Sequence, residues 1–179
     1  MPKKKLKDLI FCYEGKEPRT SSTGRIPVIN ISGEDRRKVE RAISDSPLIA
    51  IGSAGTIGKP RYFDRPVWIT STQIYLQVKD KKELDLRFLF AVLENLEWNN
   101  FKEPYTTRGA LNRHKFFNHE IALPPLNEQR KIADQYFEYL AEIEREERIL
   151  SGLKQFKNSC LEVMFPHIES KKKVTFDRL

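Results

Sequence analysis

The sequence predicts an α+β chain. A globular domain of mixed helices and strands spans residues 1–124, one long α-helix spans 125–165, and a basic tail spans 166–179. Three observations support this. Up to residue 124, apolar stretches with strand and helix periods alternate without a regular strand–helix–strand repeat. From Asn127 to Met164 the only Gly or Pro is Gly152. Within that run, positions 136, 140, 143, 147, 150, 153, 157, 160 and 164 recur on average about every 3.5 residues, the period of a coiled-coil seam.

The elements follow in order. Lys3 to Tyr13 reads as a short strand or helix, followed by the polar loop EGKEPRTSSTG. IPVINI (26–31) is a strand. Ser32-Gly33-Glu34 is expected to open a helix running to about Ile43, with Val39 and Ile43 on its apolar side. Strands are expected near 47–52, 60–63 and 67–78, and a helix over 83–97 with Leu84, Phe88, Leu89, Val92 and Leu96 at three- and four-residue spacing. A helical turn near 111–117 and a short strand at 120–123 complete the domain. In the long helix, Asn127 is the expected N-cap and Glu128 suits the first turn. The row Ile132, Tyr136, Leu140, Ile143, Leu150, Leu153, Cys160 and Met164 is broken by Glu147 and Lys157. A helix of some 38 residues would run about 57 Å, so its apolar row needs another helix. That helix could be a second copy, another protein, or this chain folded back at Gly152.

Charge is uneven. Residues 1–124 carry 22 Lys and Arg against 15 Asp and Glu, and residues 125–164 carry 6 against 8. The basic excess in the first part would attract polyanions, although a merely solvated basic surface fits the charge equally well. Cys12 and Cys160 are isolated thiols without ligand spacing, which points to a reducing cytoplasm. No apolar segment is long enough to span a membrane.

Several chemistries fail on their spacing. IGSAGTIGKP (51–60) outlines a strand and a phosphate loop, but Ser53 occupies the first glycine position and Pro60 the hydroxyl position, and no helix is signalled after it. The other readings are a hairpin turn using Gly52, Gly55 and Gly58 at positive φ, or a basic turn whose Lys59 and Arg61 meet a different phosphate. Asp8 with Glu14-Gly15-Lys16 imitates a metal-nuclease triple only formally, and His114 and His119 lack further ligands for zinc. A base-flipping amino-methyltransferase would carry Asn/Asp-Pro-Pro-aromatic; the sole Pro-Pro lies in Leu123-Pro124-Pro125-Leu126.

The donors suited to DNA fall in loops. Lys59 and Arg61 could meet phosphates. Thr72 and Gln73 sit between strand residues, where Gln73 could pair with adenine or instead satisfy buried backbone groups. Thr106, Thr107, Arg108, Asn112, Arg113 and Lys115 form the densest cluster, with Arg108 suited to guanine or phosphate. Arg19, Ser21, Ser22 and Arg25 form a further candidate loop.

GKEPRTSSTGRIPVINISGED, IGSAGTIGKPRYF, STQIYLQV, FLFAVLEN, Thr106-Thr107-Arg108-Gly109 and ALPPLNEQRKIADQ occur in this order. Together they resemble the specificity subunit of type I restriction–modification systems, from Lys5 to about Pro166. The resemblance implies one target recognition domain followed by one conserved helix. Family members usually carry two of each, with the helices paired antiparallel, so the resemblance implies a half subunit, either naturally short or a fragment of a longer chain. Homodimerising would restore the family architecture, and two equal domains would then read an inverted repeat. It also implies a non-catalytic role. Adenine-N6 methylation with S-adenosylmethionine belongs to modification subunits, and ATP- and Mg-dependent translocation and cleavage to a restriction subunit. Double-stranded DNA, a second copy and those subunits are the expected partners. The alternative is a basic coiled-coil assembly module that reads no sequence.

Overall fold

The structure, a computed structural model, describes residues 1–19, 21–44, 46–104 and 109–164. The chain divides into two compact units, Met1–Asp134 and Gln135–Leu179.

The first unit begins with β1 (Lys3–Lys5), α1 (Leu6–Leu9), β2 (Ile10–Glu14), β3 (Ile26–Asn30) and β4 (Gly33–Val39). It continues with β5 (Leu48–Gly52), β6 (Gly58–Phe63), β7 (Trp68–Ile69), β8 (Gln73–Val78) and α2 (Leu86–Glu94). A 3-10 helix (Trp98–Phe101), α3 (Arg113–Asn118) and β9 (Glu120–Ala122) follow, and α4 (Leu126–Met164) runs on into the second unit.

A four-stranded antiparallel sheet has the order β2-β8-β5-β6. A second sheet, β4-β3-β7, pairs β3 antiparallel with β4 and parallel with β7. The β1–β9 pair ties the chain start to residues 120–122. β5 is buried along its whole length, as its continuous apolar run demands. Ile29, Leu48, Ala50, Val67, Ile69 and Tyr75 form one core cluster with Ile43 and Phe63 packed against it. α2 packs against β5 and β6, with Phe90 6.0 Å from Tyr62.

The α+β class, strand 26–30 and the long helix agree with the sequence. Other elements differ. Residues 33–39 form a strand, not a helix, because Asn30 Oδ1 accepts the Ser32 and Gly33 amides at 2.9 and 3.0 Å and turns the chain. Gly33 at φ +144° then permits a hairpin where a helix start was expected. The expected strand 67–78 breaks into β7 and β8 at the Thr70–Thr72 turn. The expected helix 83–97 shortens to α2, whose cap, Asp85, accepts the Arg87 and Phe88 amides.

IGSAGTIGKP closes the β5–β6 hairpin, and Lys59 lies in a strand rather than at a helix start. Gly55 and Gly58 do adopt positive φ, at +77° and +85°, but Gly52 does not. It serves close approach instead: a Cβ there would lie 2.0 Å from the Thr56 carbonyl oxygen.

α4 starts one residue before its expected cap. The Pro125 carbonyl accepts the Glu128 and Gln129 amides, leaving Asn127 inside the helix. The helix passes through Gly152 without a break, which removes the fold-back reading.

Gln129, 1% exposed, joins the start of α4 to the loop before α2. Its Nε2 donates to the Glu83 and Pro124 carbonyls at 2.9 Å each, and its Oε1 accepts the Asp85 amide at 2.9 Å. Gln129→Ala leaves one buried and two part-buried backbone groups unpaired and is expected to cost about 1–3 kcal/mol. Urea unfolding checks this; a loss under about 0.5 kcal/mol would show that water replaces the carboxamide without penalty.

Candidate nucleic-acid interface

Antiparallel pairing brings the end of β2, the end of β5, the start of β6 and the start of β8 to one end of the four-stranded sheet. The registers Glu14↔Ile74, Gly52↔Gln73 and Gly52↔Gly58 place them there. The connecting segments are joined by backbone hydrogen bonds. The Ser53 and Ala54 amides donate to the Thr72 carbonyl at 3.0 and 3.2 Å, Gly55 donates to Gly109 at 3.0 Å, and Leu111 donates to Ser53 at 3.0 Å. Gly15 and Lys16 donate to Gln73 and Ile69 at 2.9 Å each. Segments up to a hundred residues apart thus form one platform.

The predicted donors divide by what already holds them. Lys59, Thr72 and Lys115 are exposed on or beside this platform. Arg19, Ser22 and Arg25 are exposed on the loop that leaves β2. Asn112 caps α3 by accepting the Lys115 amide at 2.8 Å, and Arg113 forms an ion pair with Glu14. That carboxylate raises the Arg113 pKa and keeps the guanidinium at the platform's edge.

Two assignments require correction. Arg61 is half-buried and donates to the Asn30 and Ile31 carbonyls at 3.1 and 3.2 Å, so its guanidinium holds the β3–β4 turn. Gln73 is 1% exposed, and its Nε2 donates to the Ile29 carbonyl at 2.9 Å and the Thr70 hydroxyl at 3.2 Å. It satisfies buried backbone rather than facing a base. Thr106, Thr107 and Arg108 lie outside the described residues.

The expected helix over 33–43 concealed Arg36, Lys38 and Arg41, all exposed beside the β2–β3 loop. The usable signal was Asn30 three residues before Gly33, an Asx-turn spacing. Asp35 has its carboxyl held down to about 2, first by hydrogen bonds from Arg37. Glu40 is lowered by the Ser21 and Thr23 hydroxyls. Burial pushes the Cys12 thiol up to about 11, which leaves it a poor nucleophile. Among the described residues no group of three His, Cys, Asp or Glu side chains could hold a metal.

Along α4, Ile132, Ile143, Leu150, Leu153 and Met164 are exposed, while Tyr136, Leu140 and Cys160 are half-buried. Ile149, Phe156 and Leu161 are exposed beside them. No described helix is long and apolar enough to cross a membrane.

The first unit is a mixed α/β domain that gathers its loops at one sheet end, and α4 runs on from it with a row of exposed apolar residues. The chain belongs to the type I restriction modification DNA specificity domain family, whose model matches residues 1–173. None of the curated proteins matches it.

Three solved structures share the fold. The type I restriction–modification S subunit from M. genitalium has a TM-score of 0.71 at 17% identity over 94% of this chain and 46% of that one. A chain from a study of complex assembly and conformational transition of the type I system gives 0.66 at 20% identity, over 90% of this chain and 44% of that one. The HsdS subunit from Thermoanaerobacter tengcongensis gives 0.58 at 20% identity, over 81% and 39%. The chain spans less than half the length of each.

The burial of Gln73 and the exposure of Thr72 give opposite expectations for neighbouring substitutions. Gln73→Ala should lower unfolding stability by about 1–3 kcal/mol, whereas Thr72→Ala should change it by less than about 0.5 kcal/mol. Paired urea titrations check this, and equal effects would return Gln73 to the surface donors.

Proposed function

We propose that this chain is a non-catalytic DNA sequence-reading subunit of a type I restriction–modification complex. Its first unit reads one half-site, and two copies pair antiparallel through α4 in the reducing cytoplasm. The observation that carries the reading is the platform, where loops from four strand ends and the segment before α3 present exposed donors together. Such a platform can change its reading by changing side chains while the backbone frame stays fixed.

Pairing is supported by the charge order along α4. Residues 135–147 carry five glutamates and one arginine, whereas residues 148–161 carry Arg148, Lys154 and Lys157 and no acid. A two-fold axis near position 148 sets Tyr136 opposite Cys160, Ile143 opposite Leu153 and Glu142 opposite Lys154. Parallel pairing would set the glutamates against their own copies. Two copies supply two recognition domains and two helices, the complement that the family resemblance implies for a working subunit. Adenine-N6 methyltransferase subunits carrying S-adenosylmethionine, and a restriction subunit using ATP and Mg, would then dock on the pair; this chain supplies no catalytic group.

Selection from a random duplex library at moderate salt, with sedimentation in parallel, tests the reading. A dimer that enriches two inverted half-sites at fixed spacing is the expected result. A single enriched half-site from a monomer would remove the pairing. Retention of duplex without enrichment would favour an assembly module without sequence recognition. Ile143→Asp with Leu150→Asp is expected to convert the dimer to a monomer, read as a halved sedimentation mass.

A further inference from the structure

β4 is an edge strand of its sheet and, with the β2–β3 loop, extends a cationic surface beyond the loop platform. Its side chains alternate. Asp35 and Arg37 share one face and pair with each other at 2.8 Å, with Glu17 3.2 Å from the same guanidinium. Arg36 and Lys38 project from the opposite face, about 6.7 Å apart along the strand, and both are exposed.

The β2–β3 loop is fixed along this edge. The Ser21 amide donates to the Lys38 carbonyl at 3.1 Å, and Gly24 lies so close that a Cβ would sit 2.8 Å from Val39 backbone atoms. This places a cleft of about 760 Å³ between Lys16, Arg19 and Arg41, with Trp68, Glu17 and Glu40 also in its wall. The Trp68 indole donates to the Lys16 carbonyl at 2.7 Å. A hollow of about 370 Å³ adjoins Arg36 and Lys38.

The local acids are engaged. Glu17 and Asp35 hold Arg37, Glu34 pairs with Arg65 at 3.0 Å, and Glu40 accepts the Ser21 and Thr23 hydroxyls at 2.7 and 2.8 Å. Lys16, Arg19, Arg25, Arg36, Lys38 and Arg41 make no ion pair among the described residues. This surface is continuous with the platform: Lys16 donates its amide to Ile69, and Ser71 meets Glu17 at 3.5 Å.

We propose that the β4 edge and the β2–β3 loop form a phosphate clamp that grips the backbone of duplex DNA beside the bases met by the platform. This deepens the DNA-reading function and rests on it. The chemistry favours phosphate over bases. The free groups are Lys and Arg side chains with the Ser22 hydroxyl, none of them a bidentate amide, and Asn30, the amide at the hairpin turn, spends its oxygen on the Ser32 and Gly33 amides. Cations without fixed acceptor partners neutralise phosphates and position the protein without carrying sequence information.

The test is the salt dependence of binding by the full-length protein to its selected duplex and to a scrambled one. Arg36→Gln, Lys38→Gln and Arg41→Gln together should lower the slope of log K against log salt by up to about 2.7, at about 0.9 per phosphate contact. Affinity for both duplexes should fall by the same factor, so the ratio between them is kept. An equal-charge control, Lys3→Gln with Lys81→Gln and Lys82→Gln, should leave the slope unchanged. An unchanged slope in the β4 variant, an equal fall in the control, or loss of preference for the selected duplex would each overturn the clamp. Failure of the unsubstituted protein to bind any duplex would instead overturn the DNA-reading function itself, so the two failures are distinguishable. The substituted side chains are exposed and make no hydrogen bond among the described residues, so unfolding curves should match that of the parent protein.

Discussion

The Gln129 carboxamide is the contact on which the placement of the other parts depends. Its two donors and one acceptor meet two carbonyls and one amide, so no polar group at the junction remains buried and unpaired. The preceding Pro124-Pro125 pair has no amide to offer and holds the approach extended. The amide that Gln129 accepts belongs to Asp85, whose carboxylate caps α2. Arg87, in the first turn of α2, meets Asp134 on α4 at 2.6 Å. The start of α4 and the start of α2 are therefore fixed to one another, and α2 supports the sheet whose opposite strand ends form the platform.

At that end the frame is made by backbone, not by side chains. Gly15 and Gly109 allow main chains to approach where a Cβ would lie 2.0 Å from the Thr70 carbonyl oxygen and 2.8 Å from that of Gly55. The amides and carbonyls of Ser53, Thr72, Gly109 and Leu111 then close the frame. Side chains such as Lys59, Thr72 and Lys115 contribute little to holding it, which leaves them available to a ligand. Gln73, Arg61 and Asn112 have the opposite role. They have the chemistry of base readers, but Gln73 Nε2, the Arg61 guanidinium and Asn112 Oδ1 already serve Ile29, the β3–β4 turn and the α3 cap.

This division explains what the sequence could show. Local periodicity was enough for α4, for the buried run of β5 and for β3. It failed at 33–39, where the Asn30 turn bond and pairing with β3 outweighed helix-compatible charged residues. It also failed at the α4 start, where the Pro125 carbonyl took the role given to Asn127. Whether a donor faces solvent or the core depends on partners far along the chain: Gln73 meets Ile29, 44 residues away, and Arg61 meets Asn30, 31 residues away. Single-sequence pattern carries no such distance information. The family resemblance supplied the class of domain, but at 17–20% identity to the solved structures its loops must be read on their own geometry.

The net charge of +7 conceals two different arrangements. On β4 and its loop exposed cations outnumber the neighbouring acids, of which Glu17, Glu34 and Asp35 are already ion-paired, so the surface favours a polyanion with an attraction that weakens with salt. On α4 acid and base are separated along the helix, and in the proposed antiparallel pair a second copy would bring the opposite signs together around an apolar row. Such pairing would draw on burial of the exposed Ile143, Leu150 and Leu153, which salt does not screen, and on flanking charges worth only tenths of a kcal/mol each. Salt would therefore separate the two proposed activities: raising it should release DNA from the cationic face while the helix pair persists. A protein that lost both together would have its DNA grip built across the dimer rather than within each copy.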